Sequence, residues 1–195
     1  MTAMRARLAG ILALTCAAAL PAQAAEPYPF AGVFSVLRAD FEKHYEMTKF
    51  LCLASISVQR ADGTYTAYHI DTSKLGEPKV EFHPYESGSC EYAAEKKTEH
   101  CKVSKSNWGK SEYFIEHRGE ADGAMVQAVV SMRNPGMVTI SNMRRCPFDE
   151  AKIKPFLSEE WLSYSDDDID WTLYRHFPFN PEQAKQVRKI LGLPE

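Results

Sequence analysis

The 195-residue chain carries 23 Lys+Arg against 26 Asp+Glu, a formal net charge of −3, and 45% of its residues are hydrophobic. That mildly acidic balance argues against nucleic acid as the main partner, which would call for a basic patch. The length suits one domain with a real core and is short for two.

Residues 1–24 read as a secretory leader. Arg5 and Arg7 form a positive n-region, Leu8 to Leu20 supplies a short apolar run, and Ala22-Gln23-Ala24 is a cleavage site that leaves Ala25 first. The run falls short of the ~20 apolar residues a membrane-spanning helix needs. Ala13-Leu14-Thr15 ahead of Cys16 fits a lipidation box poorly. Losing Arg5 and Arg7 leaves 21 Lys+Arg against 26 Asp+Glu, a net charge of −5. No later apolar run is long enough to span a bilayer. The expectation is therefore a soluble domain over 25–195, with a β part over about 30–146 and a helical part over 147–195. The Ala-rich leader points to a bacterial periplasm or to secretion.

Gly32 to Leu37 reads as a first strand, and Asp40 to Thr48 as a short helix capped by Asp40. Phe50 to Asp71 is the strongest element: two strands joined at Asp62-Gly63, where Gly63 takes positive φ without steric cost. With a two-residue loop, Ala61 faces Thr64, Val58 faces Ala67 and Ile56 faces His69. One face then carries Ile56 and Val58 with Tyr65 and Ala67, and that face is the expected core. Pro78 and Pro84 bracket a short strand, Lys79 to His83. Lys110 to His117 and Ala124 to Met132 are the next strands, joined through Gly119 to Gly123. Asn134-Pro135-Gly136 is a turn, and Met137 to Ser141 a further strand. Phe148 to Leu157 is a brief helix interrupted by Pro155. Ser165 to Asp168 caps an ambiguous segment, Ile169 to Phe177, whose Ile169, Trp171 and Leu173 also alternate as in a strand. Asn180, Pro181 and Gln183 open a last helix with the apolar stripe Ala184, Val187, Ile190 and Leu191, stopped at Gly192. The fold expected is mainly β: an antiparallel meander forming a barrel-like or strongly bent sheet, with short helices and a C-terminal amphipathic one; α+β is the alternative.

Without Cys16, four cysteines remain, an even number in an exported chain, and they read as two disulfides. Cys90 and Cys101 bracket a polar excursion, either a hairpin arm closed by its own bond or a short irregular loop. Cys52 begins the central hairpin and Cys146 ends the last strand. The expected pairs are Cys90–Cys101 and Cys52–Cys146. No C-x-x-C occurs, so neither a redox pair nor a zinc ribbon is indicated.

The motifs that could carry chemistry are few. His69 and Asp71 share a strand face, where a carboxylate could orient an imidazole, but in the two-residue register Ser55 and Ser57 face away from His69. No G-x-S-x-G elbow supplies another nucleophile. Asp166, Asp168 and Asp170 have the 1-3-5 spacing of a calcium loop, yet Trp171 stands where its Gly should be and Phe177 where its Glu should be, so they read as an acidic helix start. The six histidines show no H-E-x-x-H. Lys96, Lys97, Lys102, Lys105 and Lys110 cluster around Trp108, diluted by Glu95 and Glu99, and read as a solvated edge guarding against strand aggregation. Ser158 to Asp170 is acidic and could face that stretch. Neither a cofactor nor a metal is indicated.

The opening Gly32-Val33-Phe34, the run of meander strands and the terminal helix resemble the lipocalin-like barrels, with Phe34 where that family usually carries Trp. The resemblance implies a barrel layout and transfers no ligand site. The function expected is a non-catalytic, disulfide-stabilised binding or interaction protein of the cell envelope, its partner another envelope protein or a small amphipathic ligand. The alternative is a periplasmic hydrolase using dispersed residues such as His69 and Asp71.

Overall fold

Residues 28–40, 51–53, 55–70, 81–107, 109–161 and 181–193 are described in the computed structural model. Eight strands, β1 (Gly32–Arg38), β2 (Ser55–Gln59), β3 (Thr64–Ile70), β4 (Phe82–Ala93), β5 (Thr98–Ser106), β6 (Glu112–Ala121), β7 (Ala124–Ser131) and β8 (Val138–Arg145), follow one another as antiparallel neighbours. β1 also pairs with β8, from Phe34↔Arg145 to Arg38↔Ser141, and closes the barrel. Closure leaves no open sheet edge among the eight described strands, the usual liability of a meander. Two short elements follow β8: helix α1 (Glu150–Ile153), capped by Asp149, and a 3-10 turn (Lys154–Phe156) where Pro155 ends it. Helix α2 (Pro181–Leu191) comes last. No helix among the described residues is long and apolar enough to cross a membrane.

The β2–β3 hairpin corrects the expected register. Arg60 and Thr64 close the loop through Arg60 N–H to Thr64 O at 2.9 Å, and Gly63 donates back to Arg60 O at 2.9 Å. Ala61, Asp62 and Gly63 thus form a three-residue loop whose last residue bulges at φ +81°. Asp62 holds it by accepting from the Thr64 amide and hydroxyl at 2.9 and 2.7 Å. A Cβ on Gly63 would lie 2.5 Å from Cys90 O, so glycine is required. The pairs are Ser55↔His69, Ser57↔Ala67 and Gln59↔Tyr65. One extra loop residue slips the pairing by one and turns each side chain against a different partner. Ile56 and Val58 therefore do not share a face with Tyr65 and Ala67.

The two faces have opposite characters. Ser57, Gln59, Tyr65, Ala67, Glu86, Glu99, Cys101, Tyr113, Gln127 and Ser141 point into the lumen, since residues from all eight strands wall one cavity there. The main apolar cluster lies on the other side. Val33, Ile56, Val58, Tyr68, Ile70 and Phe82 project outward from β1–β4 and are covered by Leu53, Phe148, Ile153, Val187 and Leu191. The core is thus a layer between the outside of half the barrel and the segments wrapped over it. Val187 and Leu191 dock α2 on the protein's own sheet, each contributing about 1.5–3 kcal/mol by burial. Ile190 only packs against this layer.

Both disulfides serve this frame. Cys52–Cys146 (S–S 2.03 Å) spans 94 residues and fastens the segment before β2 to the end of β8 inside the apolar layer. Cys90–Cys101 (S–S 2.06 Å) joins directly opposed residues of β4 and β5. Between them the chain runs as a regular hairpin around a turn at 94–97, not as an irregular excursion. β4 is also longer than expected, because Pro84 sits beside a register shift between Ala67 and Tyr68, where a missing N–H is tolerated. β6 and β7 likewise run on to a tight turn at Asp122-Gly123, in place of a loop from Gly119. Beyond Asp40, the expected helix to Thr48 lies outside the described residues, as do the leader and residues 162–180 with their acidic run.

Candidate functional site

The lumen holds an open-mouthed cavity of about 220 Å³, lined by residues from every strand. Its wall mixes Val36, Ala67, Ile115 and Val129 with Ser57, Gln59, Gln127 and Ser141, three tyrosines and two carboxylates. A concave site of mixed lining with a few convergent polar groups is the usual form of a small-molecule pocket.

Glu86, on β4, is 7% exposed. Tyr65 donates its hydroxyl to one carboxylate oxygen and Tyr113 to the other, both at 3.0 Å. The register sets this up: Tyr65 enters the lumen because Gln59 opposes it, and Tyr113 because it opposes Cys101. Burial raises the Glu86 pKa above its ordinary 4.5, against the two hydroxyl bonds and the field of Arg133, which lower it. Burial, reinforced by Glu86 itself, pushes both tyrosines far above 10.0, so they stay neutral donors.

Glu99, on β5, is 3% exposed and anchors a second cluster. It pairs with His117 Nε2 through one oxygen and accepts the Tyr28 hydroxyl through the other. Phe30 stacks on the His117 ring at 4.3 Å, and Tyr92 meets both rings edge-on. Tyr28 N–H donates to Ala61 O at 2.9 Å, tying this N-terminal strap to the β2–β3 loop. The strap therefore lies over the Glu99–His117 pair at the barrel end that carries the β2–β3 loop. Between the clusters, Gln59 and Gln127 both direct their amides at Met143 Sδ, at 3.9 and 3.6 Å.

Cys90, Glu99 and Cys101 bring their ligand atoms within 4.8 Å of one another. The two sulfurs are bonded to each other, so the set offers no thiolate while the disulfide is intact.

His69 stacks on Tyr85 at 4.4 Å, and Tyr85 lines the cavity whereas His69 does not. The three-residue loop reverses one inference from sequence: Ser55 stands directly opposite His69 on the same face. Asp71 lies outside the described residues. The lysine stretch does meet the start of the acidic one, with Lys105 Nζ 3.7 Å above the Trp161 ring; Trp108 is outside the described residues.

Sequence reasoning missed Glu86, Glu99 and His117. Glu99 was counted as a surface charge among the lysines, yet it lies two residues from Cys101 on the same strand face. That alternation was the available signal.

A second, open concavity of about 540 Å³ lies outside β5–β8. Phe114 and Val138, 44% and 56% exposed, border it beside the Arg118–Glu116 ion pair. It shares Glu99 with the lumen, but Glu86 and its two tyrosine donors do not line it.

Compared with models of known families, with curated proteins and with solved structures, the chain matches none at a significant level.

Proposed function

We propose that this chain is an exported, non-catalytic binding protein of the bacterial cell envelope that holds a small ligand inside its barrel. The observation that carries the reading is the lumen itself, a cavity of about 220 Å³ walled by all eight strands and furnished with buried, hydrogen-bonded polar groups. The two disulfides fit an oxidising compartment, which supports export to the periplasm or beyond. A catalytic role finds less support. His117 is capped by Phe30 and held by Glu99, and the cavity wall does not include His69.

The test is non-denaturing mass spectrometry of protein recovered from the exported fraction, beside a Val129→Trp variant whose indole fills the lumen. A bound small molecule on the wild type that is lost from the folded variant is the expected result. A ligand retained by the folded Val129→Trp protein places the site elsewhere and defeats the reading.

A further inference from the structure

The lumen is electrostatically lopsided. Its wall carries two carboxylates, Glu86 and Glu99, and no lysine or arginine among the described residues that line it. His117, which pairs with Glu99, is already committed there and shielded by Phe30. Among the described residues Glu86 accepts hydrogen bonds only from neutral groups, the hydroxyls of Tyr65 and Tyr113; Arg133, whose field reaches it, is an exposed side chain tied to Gly109 O and makes no hydrogen bond to it. A carboxylate held in a low-dielectric cavity without a paired cation is costly, and a cationic ligand would relieve that cost. An anion would meet the opposite field. Tyr65, Tyr85 and Tyr113 all line the same cavity, and aromatic faces attract ammonium groups.

Size narrows the class. The cavity holds about seven waters' worth of liquid at ~30 Å³ each, which suits a compact molecule and not a long acyl chain. A bare divalent ion is disfavoured, because Glu86 belongs to no group of metal-competent side chains among the described residues.

We propose that the lumen binds a small organic ammonium ion, its charged head on Glu86 between the tyrosines and its apolar body along Ala67, Ile115 and Val129. This assignment rests on the lumen being a ligand site.

The experiment uses three probes of similar shape: phenethylammonium, neutral 2-phenylethanol and anionic phenylacetate. Titration calorimetry measures affinity, and the NMR signals of the Gln127 amide and the Tyr65 and Tyr113 rings report on the lumen. Phenethylammonium should bind at least tenfold more tightly than either analogue and shift those signals. Glu86→Gln should remove that preference. If Glu86→Gln does not fold, a pH series on the wild type replaces it: affinity for the amine, but not for the alcohol, should fall at least tenfold as acid protonates Glu86. Preferred binding of the alcohol or of phenylacetate, with the same signals moving, leaves a ligand site but overturns the ammonium assignment. No movement of lumen signals with any probe overturns both.

Discussion

Tyr28, ahead of the first strand, donates its hydroxyl to Glu99 on β5, 71 residues further along the chain. The bond crosses the barrel end and gives a buried carboxylate its second partner after His117. Tyr28→Phe keeps the ring and removes only the donor. It should destabilise the protein by about 1.5–3 kcal/mol, the usual worth of a hydrogen bond to a charged group. Urea unfolding would show a lower midpoint; an unaltered midpoint would mean that the hydroxyl bond to Glu99 contributes nothing to stability.

Glu86 sets the response on the acid side. Its folded pKa lies above the ordinary 4.5, so its contribution to stability is fully present below 4.5 and is lost as pH rises through the raised value. Glu86→Gln abolishes that titration while keeping an acceptor for one tyrosine. The stability difference between Glu86→Gln and wild type should therefore move in the variant's favour between pH 4 and pH 8. A pH-independent difference would contradict the assigned burial.

The tyrosines govern the alkaline side. Tyr28, Tyr65 and Tyr113 all have folded pKa values raised far above 10.0, by burial first and by Glu99 or Glu86 second. Unfolded tyrosines release protons above 10, so folding stability should drop there by up to about 1.4 kcal/mol per pH unit for each buried ring. Of the nine tyrosines, these three should add their phenolate absorbance only together with loss of structure. Wild-type absorbance at pH 10 that falls on Tyr28→Phe, Tyr65→Phe or Tyr113→Phe, with the fold intact, would show these rings to be accessible.

On the apolar layer, Leu191→Ala should cost about 2–5 kcal/mol, since Leu191 is almost fully enclosed with Val33, Ile56 and Ile153. Ile190→Ala should cost less, because Ile190 packs at the margin. Thermal unfolding separates them, and equal losses would show that α2 docks with a different face. Replacing both Cys52 and Cys146 by Ala should lower Tm by about 8–20 °C, from ~4–5 kcal/mol of chain-entropy stabilisation.

The strand succession was legible because its signals are local. Asn134-Pro135-Gly136 turns the chain as expected, with Met137 N–H bonded to Asn134 O at 3.0 Å. Asp62-Gly63 marked a hairpin correctly, but the number of loop residues depends on the bulge at Gly63, which the same letters do not reveal. The error of one residue moved Tyr65 and Ala67 to the wrong side. The lumen stayed hidden for a second reason: alternation separates two faces without saying which is wet. Glu86 and Glu99 have the period of solvent-facing charges, and only closure of the barrel turns their side into an interior.

An apolar layer on the outside of the barrel and a mixed wall within it assign two tasks to two sets of residues. Ser57, Gln127 and Val129 line the cavity; Phe82, Ile153 and Leu191 hold the wrapping in place. Mutation can thus vary one surface while the other keeps the scaffold above its threshold for folding. Such a division lets the interior be re-lined over evolutionary time without the scaffold first acquiring spare stability.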